Sequence, residues 1–213
     1  MNTAAEFKAA LPKPHVILGL RLLPLSLGRY RLLQRLNCPF VADGEKELDG
    51  DNLAKELFCG LVVCGLTCAE FKRLLDTGKL ARECARFGRR AKKFMRREEH
   101  FSLLESAAQF QSYLDDGTAL PWKVIPRGSR ESTGVAHWSH SIAVILRSRV
   151  GWKTKEIDEA PMAEALCQFF SFMESEGAVS LVTHEEFAEI EKTGSANADI
   201  LLAFERAAQK GTN

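Results

Sequence analysis

The sequence predicts an all-α protein, an irregular bundle of about seven helices with at most a minor strand near the N-terminus. Apolar residues recur at helical spacing in most segments, and the period-two alternation typical of strands is nearly absent. Apolar residues make up 46% of the 213 residues and charged residues 27%. This composition is typical of a soluble globular protein that is long enough to bury a sizeable core.

The N-terminal part begins with an extended, proline-containing arm and one short strand. Residues 16–23 are the only segment that favours a strand. A helix is predicted to follow from about Ser26, a candidate N-cap, to Leu36, and residues 37–39 end it.

The next helix is predicted to run without interruption from about residue 51 to residue 76, where Thr77 and Gly78 end it. Its middle is a nearly uninterrupted apolar run over residues 57–68, too short to span a bilayer because a membrane helix needs about twenty residues. Cysteines at positions 59, 64 and 68 lie in this run. Their spacing lacks the short pairs of zinc and iron–sulfur sites, so they are interpreted as small apolar filling.

A strongly basic helix is predicted over residues 79–97. Nine of these nineteen residues are lysine or arginine, and only Glu83 opposes them. The apolar residues recur at helical spacing, so the cations form one solvated face that should attract an acidic partner. The candidate partner-binding residues on this face are Arg86, Arg89, Arg90, Lys92, Lys93, Arg96 and Arg97.

Further helices are predicted over residues 101–114 and 137–150. Between them, residues 115–136 are rich in Gly, Pro, Ser and Thr, which indicates an irregular loop or linker. After a turn at Gly151, Pro161 is placed to begin another helix.

The C-terminal region is expected to contain three helices. The helix that begins at Pro161 ends at Gly177, and a short helix follows a capping-box pair formed by Thr183 and Glu186. A last amphipathic helix is predicted over residues 196–209.

These elements divide the chain into an N-terminal part (1–114), the loop or linker (115–136) and a C-terminal part (137–213). Residues 1–114 carry a net charge of +6, and residues 115–213 carry one of −5. The C-terminal part is therefore expected to pack on the N-terminal part. The basic helix could dock on this acidic part of its own chain instead of on a partner.

No motif of a known catalytic chemistry is present, because the glycine patterns of nucleophile elbows and phosphate-binding loops are absent. His137 and His140 would lie on one face of a helix and suit two metal ligands, but no third ligand is visible nearby. A metal-dependent enzyme that uses these histidines and a cysteine is the least favoured hypothesis. We predict a protein without enzymatic activity, catalytic residues, cofactor or bound metal.

The expected compartment is the cytoplasm. The first ten residues are polar and Arg21 interrupts the apolar segment that follows, so a secretory leader is not predicted and the six cysteines are expected to be reduced. A membrane surface is a weak candidate partner, because the apolar stripe of the basic helix is needed for the core.

Nucleic acid is the obvious acidic partner for the basic helix, since its cations could contact several phosphates. Side chains that could read bases are not evident. Phe87 and Phe94 belong to the apolar stripe, so they are expected to be buried instead of stacking on bases. A nucleic-acid-binding regulator is therefore an alternative hypothesis.

Two segments carry a family resemblance. In residues 18–41, LGLRLLPLSLGRYRLLQRLNCPFV, a PLSLG turn leads into an amphipathic helix that ends in NCPF. In residues 151–177, GWKTKEIDEAPMAEALCQFFSFMESEG, a Gly-Trp turn leads to an acidic EIDEAP and an aliphatic helix. Together these segments cover about a quarter of the chain. They resemble stretches of small helical proteins encoded among bacteriophage tail genes, of the tail-assembly chaperone type.

The resemblance implies a non-enzymatic protein of the bacterial host cytoplasm that binds phage structural proteins, such as tail tube or tape-measure protein, during virion morphogenesis. The cysteine-rich second helix and the basic third helix depart from the family pattern, which leaves the partner open. A chaperone covers apolar surface of its partner, so it needs apolar residues beyond those of its own core. Phe172 is the candidate for such exposure, because it lies off the main apolar stripe.

Overall fold

The computed structural model describes residues 14–41, 50–97, 102–127 and 138–193, and these residues are mostly helical. The prediction of an all-α fold is confirmed. No helix in this part of the chain is long and apolar enough to cross a membrane. The helices are α1 (Leu27–Arg35), α2 (Gly50–Gly65), α3 (Cys68–Asp76), α4 (Leu80–Met95), α5 (Leu103–Thr118), α6 (Trp138–Ile145), α7 (Thr154–Glu159), α8 (Met162–Ser175) and α9 (184–193).

A two-stranded hairpin stands where a single strand was predicted over residues 16–23. β1 (Val16–Ile17) pairs antiparallel with β2 (Leu20–Arg21). Leu18 and Gly19 make the turn between them, with φ angles of 50° and 72°. The segment therefore folds back on itself, because its only glycine supplies a left-handed turn in the middle.

α1 begins and ends where the sequence predicts. Ser26 is the N-cap, and its hydroxyl accepts a hydrogen bond from the backbone N–H of Arg29 at 3.2 Å. The helix closes at the C-cap Leu36, after which Asn37 has a φ of 55°. Local capping chemistry is enough to set these boundaries.

The helix predicted over residues 51–76 is interrupted, so that prediction is wrong in one respect. α2 ends at Gly65 and α3 begins after Thr67. The Thr67 side chain accepts from the backbone N–H of Glu70, and the Glu70 carboxylate accepts from the backbone N–H of Thr67. This capping box starts a new helix inside the apolar run. Gly78, with a φ of 63°, follows α3 as predicted.

Part of the segment predicted as an irregular loop, residues 115–136, is regular. α5 continues to Thr118, and β3 (Lys123–Pro126) then pairs antiparallel with β4 (Val179–Val182). The loop prediction is wrong for these residues, because pairing with a strand so distant in sequence leaves no local signal. Residues 128–136 lie outside the described part.

The turns of the C-terminal region are confirmed, but one helix was not predicted. α6 continues as a π-helical turn (Leu146–Val150), and Gly151 ends it with a φ of 86°. The short α7 follows, and Pro161 is the N-cap of α8. Gly177 has a φ of 73° just beyond α8.

A second predicted cap is also confirmed before α9. The Thr183 hydroxyl accepts from the backbone N–H of Glu186, and the Glu186 carboxylate accepts from the backbone N–H of Thr183. The helix predicted over residues 196–209 lies outside the described part of the chain.

One hydrophobic core contains side chains from both ends of the described chain. Leu33, Leu57 and Phe110 from the N-terminal part are fully buried in it, together with Leu146 and Met162 from the C-terminal part. α1 packs on α6 and α7, and α5 packs on α8. The two parts therefore stabilise each other by shared burial.

A glycine permits the closest approach between the two parts, where α1 lies against α7. A Cβ atom at Gly28 would lie 2.5 Å from the carbonyl oxygen of Asp158 and 2.8 Å from the Cys68 sulfur. Both neighbours are held in place, since the Cys68 thiol donates to that same Asp158 oxygen at 3.1 Å. A side chain at position 28 therefore requires the helices to separate.

We expect Gly28→Ala to lower the free energy of unfolding by about 1–3 kcal/mol, because overpacking against backbone cannot be relieved by a rotamer change. Gly88→Ala is the matched control. Gly88 is also helical, but its added Cβ would meet only the Phe58 ring, at 3.2 Å, and alanine has the higher helix propensity. Urea unfolding followed by circular dichroism measures both variants. Equal stability of the two would contradict the steric argument.

Candidate functional site

The basic helix is observed as α4, and its apolar side holds it against the rest of the protein. Ala91 and Gly88 are buried, and the Phe87 ring contacts the Phe58 ring of α2 edge to face, with centroids 5.8 Å apart. Near the C-terminal end, the Phe94 ring lies 3.3 Å from the position of a Cβ at Gly19. Both rings are half-buried by these contacts, which leaves little of either face for stacking on a base.

The opposite side of α4 is a cationic surface, which we call the basic face. All of its lysine and arginine side chains are exposed, as the sequence predicts. The basic face consists of Lys79, Arg82, Arg86, Arg89, Arg90, Lys92, Lys93, Arg96 and Arg97.

The described residues neutralise little of the basic face. Among them, its one ion pair joins Arg86 to Glu83 of the same helix at 3.4 Å, and both side chains are in contact with solvent. An ion pair of this kind at the surface contributes little to stability. α4 packs on α2 and α3, which belong to the basic N-terminal part. The hypothesis that the acidic C-terminal part covers this helix thus receives no support in the described residues.

Two depressions border the basic face. On one side, α4 forms a pocket of about 300 Å³ with α2, α3 and β2, lined in part by Arg73, Arg86 and Arg90. On the other side, a groove of about 500 Å³ separates α4 from the first half of α2 and is lined in part by Arg89 and Lys92. A partner that contacts the basic face would meet both apolar and cationic surface.

A pair of cysteines lies under the second groove. Cys59 on α2 and Cys84 on α4 lie close enough for the interaction of their thiols to lower the pKa of Cys59 and raise that of Cys84. Both side chains are half-buried. The nearby carboxylates of Glu56 and Glu83 disfavour the thiolate forms of Cys59 and Cys84, respectively.

The other cysteines of α2 and α3 are inert thiols. Burial raises the pKa of Cys64 to about 12 and that of Cys68 to about 11. Cys68 begins α3, a position that can activate a cysteine, but its thiol donates to the Asp158 carbonyl instead. The interpretation of the buried cysteines as apolar filling is consistent with these environments.

A buried arginine is the main polar feature that the sequence did not reveal. Arg29 is 2% exposed, and its guanidinium donates to the carbonyl oxygens of Pro24 and Leu66, both at 3.0 Å, and to the Glu159 carboxylate at 2.8 Å. The other Glu159 oxygen accepts from the backbone N–H of Cys68 at 2.8 Å. Arg29 thereby connects α1 with the break between α2 and α3 and with the end of α7. We call this cluster of hydrogen bonds around Arg29 and Glu159 the Arg29 joint.

The Arg29 joint is extended by contacts of the backbone. The Ser26 hydroxyl donates to the carbonyl of Asp158 at 2.5 Å, and the backbone N–H of Met162 donates to the carbonyl of Leu25 at 2.7 Å. Lys72 forms an ion pair with the Asp158 carboxylate at 2.6 Å. These groups are satisfied by one another, as buried polar groups must be, and the joint is therefore structural in character.

Of the two histidines that could have served as metal ligands, the structure describes one. His137 lies outside the described residues, and the Nδ1 atom of His140 lies 3.1 Å from a guanidinium nitrogen of Arg31. Within the described part of the chain there is no group of three or more His, Cys, Asp or Glu side chains that could hold a metal ion.

Phe172 is less accessible than the sequence predicts, because it is half-buried on α8. The large apolar side chains that are exposed are distributed over several helices, for example Leu104, which is 72% exposed, and Val144, which is 53% exposed. Scattered exposure of this kind is ordinary for a protein surface. The α8 surface is therefore weaker than the basic face as a candidate partner site.

Two groups of site residues were missed by sequence reasoning. Arg29 and Glu159 carry no motif, although the placement of Arg29 among the apolar residues of α1 could have suggested burial. Arg73 on α3 lines the pocket beside Arg86 and Arg90, and its role depends on the break after α2. Comparison with family models, with curated proteins and with solved structures gives no match for this chain.

Proposed function

We propose that this chain is a non-enzymatic assembly protein of the tail-assembly chaperone type, which binds phage tail structural proteins through the basic face of α4. One observation supports this choice of binding surface. Nine cations are exposed on a helix that is packed against the protein, and they have one weak acidic contact among the described residues. Such a surface attracts an acidic partner over a distance and orients it before contact.

The two segments that carry the family resemblance meet at the Arg29 joint. Residues 18–41 and 151–177 resemble tail-assembly chaperones separately, and they lie far apart in the sequence. In the fold they meet directly, since Leu25, Ser26 and Arg29 of the first segment contact Asp158, Glu159 and Met162 of the second. The family part of the proposal rests on the sequence resemblance of these two segments.

The binding mechanism needs no chemical step. α4 is held by its apolar side, so its cations are presented without the entropy cost of ordering a flexible segment. An acidic region of a tail protein would bind there while its neighbouring apolar surface is kept from self-association. Release would follow when the growing tail offers that surface a larger interface.

Co-expression tests the proposal. The full chain is produced together with a tail tube protein, and separately with a tape-measure protein, from the genome that encodes it. We expect the tail protein to stay soluble and to co-elute with the chain in gel filtration, because its acidic surface is held by the basic face. The complex should dissociate as salt is raised, since exposed charge pairs are screened. A tail protein that is equally soluble without the chain would contradict the proposal.

Nucleic acid binding is the second candidate, and the length of the basic face favours it. A helix of sixteen residues is about 24 Å long and could contact several successive phosphates. Because Phe87 and Phe94 are turned inward, such binding would lack stacking and would be indifferent to sequence. The logarithm of the affinity for duplex DNA would then fall steeply with the logarithm of the salt concentration.

A further inference from the structure

The pocket beside the basic face has an apolar floor, although Leu20, Leu66 and Phe87 of its lining also pack on the core. Val62 is buried but lies in the pocket, and Leu74 is half-buried there without belonging to the side chains packed on the core. β2 contributes one wall through Leu20, and α4 contributes another through Phe87. An apolar surface in a concave site of this kind is suited to cover an apolar group of a ligand.

Three arginines surround this floor, and two of them have no ion-pair partner among the described residues. Arg86 contacts Glu83 at 3.4 Å, whereas Arg73 and Arg90 form no such pair. The other acidic residue of the lining, Glu70, is engaged in the capping box. Its carboxylate accepts from the Thr67 backbone N–H at 3.0 Å and from the Thr67 hydroxyl at 2.8 Å, and the backbone bond lowers the pKa of Glu70. The Arg73 guanidinium also lowers the pKa of Glu70. The three arginines of the lining outnumber its two carboxylates, so the rim keeps a positive charge for an external carboxylate.

Size and charge together narrow the ligand class. A volume of about 300 Å³ is at the lower limit of small-molecule pockets and suits a single large apolar side chain. Guanidinium groups bind carboxylates through paired hydrogen bonds. A nucleic acid would engage the arginines but leave the apolar floor empty, so the combination favours a polypeptide.

We propose that this pocket anchors an acidic segment of the partner protein, which inserts one apolar side chain onto the floor while flanking carboxylates bind Arg73 and Arg90. This inference rests on the proposed function and specifies the partner chemistry at the same surface. Because Arg73 lies on α3, the anchor site is distinct from a purely electrostatic contact with α4.

Two labelled peptides test the anchor directly. Both are short polyglutamates, and the central residue is phenylalanine in one and serine in the other. We expect fluorescence anisotropy with the full chain to give about tenfold tighter binding of the phenylalanine peptide, the ratio expected for burying one aromatic side chain. Leu74→Trp should abolish this preference by filling the pocket, and Leu74→Ala should reduce it without filling.

Matched variants distinguish binding in the pocket from attraction to any cationic surface. Leu75→Trp adds the same side chain at a neighbouring position that is already 41% exposed and lies outside the pocket, so it should leave the preference intact. Arg73→Glu should weaken binding of the phenylalanine peptide more than Lys93→Glu does, because Lys93 is on the basic face but not in the pocket. Circular dichroism establishes that each variant is folded.

Each outcome decides the inference. A phenylalanine preference that Leu74→Trp removes and Leu75→Trp keeps supports it. Equal binding of the two peptides overturns the anchor but leaves the proposed function standing. If neither peptide binds, the anchor and the proposed function are both rejected. Duplex DNA is the third probe. If DNA binds more tightly than either peptide, and Lys93→Glu weakens it as much as Arg73→Glu, the surface serves nucleic acid and the anchor is rejected.

Discussion

Replacing Arg29 with alanine is expected to lower the free energy of unfolding by about 3 kcal/mol. The guanidinium is almost completely buried, whereas the Glu159 side chain is 29% exposed and can regain some hydration when its partner is lost. The expected cost therefore lies at the lower end of the range for breaking a buried ion pair. Much of it arises because the carbonyl oxygens of Pro24 and Leu66 lose their donor.

Urea unfolding followed by circular dichroism measures this loss. Arg35→Ala is the matched control, because Arg35 lies on the same helix with an exposed side chain, and a change within about 0.5 kcal/mol is expected there. Arg29→Lys should fall between the two, since one ammonium group cannot replace a planar fork that reaches four acceptors, the Ser26 hydroxyl among them. If Arg29→Ala unfolds like Arg35→Ala, the joint contributes no stability.

Reversing four charges of the basic face is expected to weaken partner binding about 100-fold at low salt. The variant carries Arg89→Glu, Lys93→Glu, Arg96→Glu and Arg97→Glu, and it leaves Arg86 and Arg90 of the pocket unchanged. Each exposed contact contributes somewhat under 1 kcal/mol, and four lost contacts of this size together correspond to two powers of ten. The fold should persist, because all four side chains are exposed.

Calorimetric titration with the co-purified tail protein measures this effect, and duplex DNA serves as a second titrant. The control reverses four exposed cations elsewhere, namely Arg35, Arg149, Lys155 and Lys192. Both variants have the same net charge, so only the position of the charges differs. Equal weakening by the two variants would show that net charge, and not the basic face, controls binding. Loss of DNA binding without loss of tail-protein binding would favour the second candidate function.

Local sequence signals predicted the helices that have clear caps. Ser26, Gly151, Pro161 and the Thr183–Glu186 pair all act where the sequence places them. The break between α2 and α3 was predicted wrongly although its Thr-x-x-Glu capping signature is readable. The apolar run around Thr67 concealed it, because hydrophobic continuity was given more weight than a single cap.

Pairings between distant segments were beyond such reasoning. β3 and β4 are short, and each takes its conformation from the other. Phe172 lies off the apolar stripe of α8 and was expected to be exposed, but neighbouring structure covers part of it. Burial at the edge of a stripe depends on what packs beside the helix, and periodicity contains no information about that.

The cationic surface of α4 follows from the order of its residues, because any helix of this sequence places its cations opposite its apolar stripe. Arg29 and Glu159 are 130 positions apart, and the pocket combines Leu20 and Val62 with side chains of two further helices. Their meeting depends on how the helices pack, since contacts at such separations form only when the shared core brings the segments together. The acidic partner is thus suggested by the linear sequence, whereas the place of its apolar anchor arises from the assembled fold.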